Sequence, residues 1–291
     1  MNILKGVIKI SNVIIIIALI AIHFVFKESS YKASLYFYTF PLPVIIIIIL
    51  FLSILVGKRF RKYNLLIASI LTVIWLCRSF NVSSSEAIKE TDLEVVFWNA
   101  SHTRNFQDAF NESEDIPDVV VLVEYHGEVL NETKLKYPKY HFYKDDIEEI
   151  GICSKTPIHI KKTIKSNYKS AVINFETKGV NFYIVDVSAS IDVPRNWELG
   201  FVEKSIKETR NTVVLGDFNV PYESKYLNSF KTHFNHAFNE KGNGFRETWF
   251  WNIPLLSLDH IWVSKDLKIL KTQKISTFKS DHSMLKTFIK L

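Results

Sequence analysis

Cysteine is almost absent, with two in 291 residues. Cys77 closes an apolar run and Cys153 lies inside a β-like segment, so no disulfide framework and no thiolate metal centre is expected. Cys153 reads as a small core residue and not as a nucleophile. The chain also lacks the basic stripe of a duplex-binding protein. Its formal charge of +6 is unevenly placed: nine of the 36 basic residues but only one of the 30 acidic ones fall in the first 80 positions. That leaves 27 basic and 29 acidic residues, so the remainder is slightly acidic. Lys161, Lys162, Lys165 and Lys169 form one local basic patch, read as a solvated face. Repeats are missing, and low complexity is confined to isoleucine runs. The apolar stretches lack a small-residue cleavage site, which argues against a cleaved signal peptide.

What the first 80 residues do contain is apolar. Residues 7–26 and 40–57 are long enough to span a bilayer, and residues 64–77 form a shorter run ending beside Arg78, which would have to snorkel. The expectation is a membrane anchor of about three transmembrane helices over residues 1–80, followed by a polar linker over 81–92. The short basic loop Lys58-Arg59-Phe60-Arg61-Lys62 should stay in the cytoplasm. With Lys5 and Lys9 also inside, three crossings place residues 93–291 on the outer face of the cytoplasmic membrane.

From residue 93 the pattern changes to alternating, β-branched segments. Strands are expected at 94–100, 118–125, 149–154, 170–176, 180–188, 211–217, 258–264, 268–275 and 284–290. Helices are expected at 104–113, 126–136, 195–209 and 222–232, with Pro117 and Pro194 at breaks. Many strands and few helices over about 200 residues fit one α+β domain with a two-sheet core.

Carboxylates and imidazoles stand at the ends of these apolar runs, where a sheet rim exposes them to substrate. Gly216-Asp217-Phe218-Asn219, Leu258-Asp259-His260 and Ser280-Asp281-His282 make three such rims. Phe97-Trp98-Asn99 and Asp118-Val119-Val120-Val121-Leu122-Val123-Glu124 make two more, and Gly151 to Ile158 and Thr248-Trp249 complete the series. Together and in this order they resemble the endonuclease/exonuclease/phosphatase (DNase I-like) superfamily, in a membrane-anchored bacterial form. The resemblance covers residues 93–291 and implies a four-layer α/β-β/α sandwich.

The resemblance implies metal ligation by Asn99, Glu124 and Asp281, oxygen donors suited to Mg²⁺ or Mn²⁺. It implies catalytic roles for Asp217, Asn219, Asp259 and His282. Asp217 would orient or deprotonate the attacking water, Asn219 would donate to a phosphoryl oxygen, and His282 would contact the phosphate with Asp259 fixing its tautomer. One position departs from the pattern. After the strand Phe182 to Val187 many members carry a phosphate-contacting His, where this chain has Ser188. Ser188 as a weaker donor, His102 and His126 are the alternatives for that contact. His260 reads as structural, and Trp249, Phe250 and Trp251 as core.

The resulting expectation is a membrane-anchored, divalent-metal-dependent phosphoesterase that cleaves phosphodiester bonds in nucleic acid or a phospholipid headgroup. No protein partner is expected. The alternative is a catalytically weakened membrane protein that uses the fold as a binding module.

Overall fold

The computed structural model describes residues 2–113 and 115–291. The chain divides into two compact units, Met1–Phe80 and Asn81–Leu291.

The first unit is helical: α1 (Asn2–Ala21), extended by a π-turn over Ile22–Phe26, then α2 (Tyr31–Thr39), α3 (Leu42–Leu55) and α4 (Lys58–Ser79). Ile16, Leu19, Ile45, Ile49, Ala68 and Leu71 pack between α1, α3 and α4, while Ile14, Ile17, Ile47, Phe51 and Leu66 face outward. Outward isoleucines at this density suit lipid and not water. Asn12 and Asn64, both buried, exchange amide hydrogen bonds of 3.2 and 2.8 Å between α1 and α4. This satisfies the polar groups that an apolar surrounding would otherwise penalise. Ile3–Phe26 and Lys58–Ser79 are each long and apolar enough to cross a membrane. The sequence had favoured the run 40–57 over the run 64–77, and the structure reverses their order. Pro41 and Pro43 end helical continuity after α2, so α3 has 14 residues and meets α2 at a 66° bend. At 1.5 Å per residue α3 alone is about 21 Å long, short of the roughly 30 Å hydrocarbon core.

The second unit is built on two six-stranded sheets. Its strands are β1 (Leu93–Asn99), β2 (Val119–Val123), β3 (His141–Asp145), β4 (Ile150–Ser154), β5 (His159–Lys165), β6 (Ala171–Thr177), β7 (Val180–Asp186), β8 (Thr212–Asp217), β9 (Phe234–His236), β10 (Asp259–Ser264), β11 (Lys268–Ile275) and β12 (Met284–Lys290). One sheet runs β11-β12-β1-β2-β4-β3 and the other β9-β10-β8-β7-β6-β5. The pairs β1/β2 and β7/β8 are parallel and the other pairs antiparallel.

Period-two alternation explains the layering. Val95, Phe97, Val119 and Val121 face the inter-sheet core, where they meet Ile173, Phe175, Ile184 and Leu215 of the other sheet. Their neighbours Val96, Trp98, Val120 and Leu122 point the opposite way, onto Phe106 and Phe110 of α5 (Phe106–Ser113) and Leu130 of α6 (Leu130–Lys136). Strands apolar on both faces are covered on both faces. On the far side lie α7 (Arg195–Ser205), which buries Leu199 and Val202, and α8 (Asn228–His233), whose Phe230 ring lies 5.8 Å from Trp262. The α+β, four-layer expectation holds. A last short helix, α9 (Ala237–Lys241), buries Ala237 and Phe238 in the inter-sheet core.

Gly216 shows how closely β7 and β8 approach. Its φ is +156°, and a Cβ there would lie 1.8 Å from the Val185 carbonyl oxygen. A main-chain oxygen cannot rotate away as a side chain does. Gly216→Ala is therefore expected to cost more than about 2 kcal/mol, visible as a drop of roughly 4–8 °C in Tm. An unchanged Tm would show that the two strands can separate locally.

Candidate active site

The rim residues converge because the strands that carry them are neighbours in register. Asp217 ends β8 directly opposite Asp259, the first residue of β10, and beside Asp186, the last of β7. Asn99 ends β1 level with Val123, which places Glu124 one residue beyond. Asn99 Nδ2 donates to Glu124 Oε1 and to Asp217 Oδ2, each at 3.1 Å, so a single amide joins the two sheets.

The segment 280–283 is fastened to this rim by the Ser280 hydroxyl and by its own main chain. Ser280 Oγ donates to the Asn99 carbonyl at 2.8 Å, and Trp98 Nε1 to the His282 carbonyl at 3.0 Å. Ser283 N donates to the Thr248 carbonyl, while Thr248 Oγ1 accepts from the amides of Leu258 and Asp259. The Thr248–Trp249 pair thus ties the 258–259 strand end to the 280–283 turn. Trp249 Nε1 donates to Asp281 Oδ2 at 3.0 Å, and Ser101 Oγ donates to Asp281 Oδ1. Ser101 N also donates to Asn99 Oδ1 at 2.9 Å, so one serine links Asn99 to Asp281, and the Asn99 amide carries the link on to Glu124.

His282 Nδ1 lies 2.8 Å from Asp259 Oδ2, and both side chains are buried. Asp217 joins them in one compact cluster. Burial alone would depress the imidazole pKa, but the charge and hydrogen bond of Asp259, with Asp217 and Asp281 behind it, raise it above its ordinary value. Burial, then the charge of Asp259, pushes Asp217 up. Asp281 is also opposed by burial, yet the Ser101 and Trp249 hydrogen bonds and the His282 charge hold its carboxyl below the usual range. Asp259 Oδ1 is buried without a hydrogen-bond partner among the described residues. Asn219 N donates to Asp217 Oδ1 at 2.9 Å and its side-chain amide to the Val187 carbonyl at 2.7 Å, so Asn219 braces Asp217 against β7.

Ser188 lies beyond that strand end. Its amide donates to Ser170 Oγ, its carbonyl accepts from Arg195, and its hydroxyl accepts from the Ser190 amide. Sequence reasoning passed over Asp186. This carboxylate is raised well above the ordinary range by burial and by the charges of Asp217, Glu124, Glu148 and Glu149. Its only signal was an acid inside an otherwise apolar strand. Ser101 was missed as well.

His260 is buried and structural. Its Nε2–H donates to the Val220 carbonyl at 3.0 Å, so its Nδ1 accepts from His236 Nε2 at 3.0 Å. Burial lowers both imidazoles, His260 to about 4, and keeps the pair neutral. The aromatic run departs from expectation. Trp249 is half-buried, but Phe250 and Trp251 are 37% and 40% exposed. They lie on a loop whose backbone is committed to Asp281 and Leu256, which turns the two side chains outward. The basic patch on β5 is solvated and partly neutralised, with Lys161 paired to Glu176 and Lys165 to Glu148.

The hard donors Asn99, Glu124, Asp217 and Asp281 are all oxygen-bearing, and burial first, then the charge of neighbouring carboxylates, pushes Asp217 and Asp186 up. A divalent cation relieves such crowding, so the residues present fit one.

No curated protein matches this chain. Among solved structures it is similar to D. rerio TDP2 complexed with single strand DNA product, at 16% identity and TM-score 0.51 over 69% of this chain and 100% of that one. It is also similar to a Bacteroides thetaiotaomicron mannosyl-6-phosphatase, at 14% identity and TM-score 0.53 over 68% of this chain and 100% of the other. An endonuclease/exonuclease/phosphatase family protein of B. thetaiotaomicron matches at 15% identity and TM-score 0.52, over 68% and 97% of the two chains. At these identities the likeness is one of fold. The sequence pattern of the Endonuclease/Exonuclease/phosphatase family matches residues 79–282, and with the two-sheet fold already described this chain belongs to that family.

Proposed function

We propose that this chain is a membrane-anchored phosphoesterase that hydrolyses phosphodiester bonds with the help of a hard divalent cation, Mg²⁺ or Mn²⁺. The single observation that carries the reading is the buried Asp217–Asp259–His282 cluster, joined through Asn99 to Glu124. A binding module has no need of a buried imidazole held at 2.8 Å by a buried carboxylate, a costly arrangement unless it is used.

In this reading Glu124, Asn99 and Asp281 would hold the cation, which when bound would supply positive charge to phosphoryl oxygens and to the leaving group. Asp259 fixes the His282 tautomer through Nδ1 and leaves Nε2 for a phosphoryl oxygen. With its raised proton affinity His282 stays cationic at neutral pH and contributes charge as well as a donor. Asp217 orients the water and accepts its proton, a task suited to a carboxyl whose pKa is pushed up. Asn219 holds Asp217 still through its amide N–H, and its second side-chain N–H is free of that bond to reach the phosphoryl group. Ser188 replaces an imidazole with a hydroxyl already accepting from the main chain, so its contribution to phosphate contact is small.

The substrate class follows from charge and attachment. The second unit is slightly acidic, which disfavours tight duplex binding, and the apolar helices favour a membrane-proximal substrate. A phospholipid headgroup is the first choice and single-stranded nucleic acid the second. A panel comparing a phospholipid, plasmid DNA, single-stranded nucleic acid and bis-p-nitrophenyl phosphate tests the order. Fastest turnover on plasmid DNA would overturn it.

The anchor reading makes its own prediction. Basic residues on both the N-terminus and the 58–62 loop place them in the cytoplasm, which requires α2 and α3 to cross as one bent span. Alkaline phosphatase fused at the C-terminus should then be active, and a fusion near residue 60 inactive. An inactive C-terminal fusion would mean that the bent pair is re-entrant and that the second unit lies in the cytoplasm.

A further inference from the structure

Beside the carboxylates of the active site lies a second cluster of different chemistry. His102 follows β1, Glu124 and His126 follow β2, and Glu149 precedes β4, so three adjacent strand ends contribute to it. Their main chains are laced together. Ala100 N donates to the Val123 carbonyl at 2.8 Å, His102 N to the Glu124 carbonyl at 2.8 Å and Tyr125 N to the Glu149 carbonyl at 2.7 Å. Ser101, His102, Glu124 and Glu149 all have positive φ, between 44° and 59°, a conformation disfavoured for side-chain-bearing residues and concentrated here.

The side chains converge. Glu149 faces two imidazoles at once, with His102 Nδ1 3.0 Å from Oε2 and His126 Nε2 3.4 Å from Oε1. The two rings are stacked, with centroids 4.9 Å apart. His102 Nε2 lies 3.3 Å from Glu124 Oε2. Both nitrogens of His102 therefore meet a carboxylate oxygen. A neutral imidazole has one N–H and one lone pair, and a lone pair set against a carboxylate oxygen is repulsive. A metal ion at Nδ1 would relieve that repulsion, leave the Nε2–H to donate to Glu124, and lie within reach of the second imidazole and Glu149. Charge points the same way, because Glu124 and Glu149 form no ion pair with a lysine or arginine among the described residues.

We propose that His102 Nδ1, His126 Nε2 and Glu149 bind a transition-metal ion of the Zn²⁺ class, distinct from the hard-cation site and coupled to it through Glu124. Two imidazoles and a carboxylate are a borderline donor set, favouring Zn²⁺ over Mg²⁺. Zn–N and Zn–O bonds of about 2.0–2.2 Å put tetrahedral ligand atoms roughly 3.3–3.6 Å apart. One candidate ligand atom from each residue lies within 4.8 Å of the others, so small side-chain shifts suffice. All three side chains reach solvent, at 36–51% exposure, which gives the ion an entry path. With Nδ1 on the metal, the Nε2–H of His102 donates to Glu124, the carboxylate–histidine–metal relay that orients a ligating imidazole. Glu124 would thus serve the hard cation through its own oxygens and the second ion through His102. An ion bound at one site then alters the field at the other.

The experiment uses the full chain in detergent micelles, dialysed against Zn²⁺, or against Co²⁺ as a coloured probe, in millimolar Mg²⁺. The wild type should retain one ion per chain against Mg²⁺ and show visible Co²⁺ absorption. His126→Ala and Glu149→Gln should each weaken Zn²⁺ binding by at least the roughly 10–100-fold typical of outer-shell partners. His126→Ala should leave Tm unchanged, because the side chain is 44% exposed and lies outside the core. Failure of the wild type to retain Zn²⁺ would overturn the proposal. So would Zn²⁺ binding that survives His126→Ala but is lost in Asp259→Asn, because the ion would then belong to the buried cluster. Hydrolysis in Mg²⁺ alone is read separately, so loss of the zinc site and loss of the phosphoesterase reading give different results.

Discussion

Replacing His282 by alanine is expected to lower turnover by about 10²–10³-fold or more, and Asp259→Asn by a comparable factor. The two residues share one hydrogen bond, from His282 Nδ1 to Asp259 Oδ2 at 2.8 Å, in a buried setting. Asp259 acts chiefly through the imidazole, which is its one side-chain hydrogen-bond partner among the described residues, so the double variant should be little worse than His282→Ala. Groups that act as a unit lose their effect together and not additively. Turnover should fall further than apparent affinity, because a cationic donor binds the charge of the transition state better than that of the ground state. Clearly additive losses would mean that Asp259 serves another partner. Asp217, drawn into the same cluster, is the first candidate.

Glu124→Gln carries the second large effect. The carboxylate has one oxygen on Asn99 and the other on His102, with no lysine or arginine ion pair among the described residues. It is therefore positioned to give its charge to a cation. Removing one unit of charge should raise the Mg²⁺ concentration for half-maximal activity by roughly 10–100-fold. The glutamine carbonyl can still accept from Asn99, and a half-buried rim residue contributes little to the core, so Tm should hardly move. A change in Tm without a change in Mg²⁺ dependence would place Glu124 among the structural residues.

Most strands that were legible in the sequence lie inside a sheet and are covered on both sides; the edge strand Lys268–Ile275 is the exception. The strands Lys268–Ile275 and Met284–Lys290 coincide with their expected bounds, and β1, β2, β4, β6, β7, β8 and β10 lie within a residue or two of theirs. Of the strands that sequence reasoning missed, His141–Asp145, His159–Lys165 and Phe234–His236 are all edges of the six-stranded sheets. Edge strands carry polar and lysine-rich sequences, as His159-Ile160-Lys161-Lys162 does, and so give no apolar alternation to read. The expected helix at 222–232 is a 3₁₀ turn over Lys225–Leu227 followed by α8.

The site divides in the same manner. Asp217, Asn219, Asp259, Asp281 and His282 stand at strand ends within short motifs, so their positions could be read along the chain. Asp186 and Glu149 belong to the same rim only because register sets Asp186 beside Asp217 and lays Glu149 against Tyr125, and Ser101, which follows Asn99 closely, counts there only through its bond to the distant Asp281. Such neighbours are far apart in sequence. In the first unit, counting apolar residues over 40–57 overlooked what Pro41 and Pro43 do to a helix, which is why the bend was not foreseen.

The central claim is that the Asn99–Glu124–Asp217–Asp259–Asp281–His282 rim is a cation-dependent hydrolytic centre. Its most direct test is hydrolysis of bis-p-nitrophenyl phosphate by the full chain in detergent, measured in EDTA, after addition of Mg²⁺ or Mn²⁺, and in a parallel His282→Ala preparation. The account predicts no turnover in chelator, recovery with either ion, and little recovery in the variant. Undiminished turnover in EDTA, or normal turnover by His282→Ala, would contradict it.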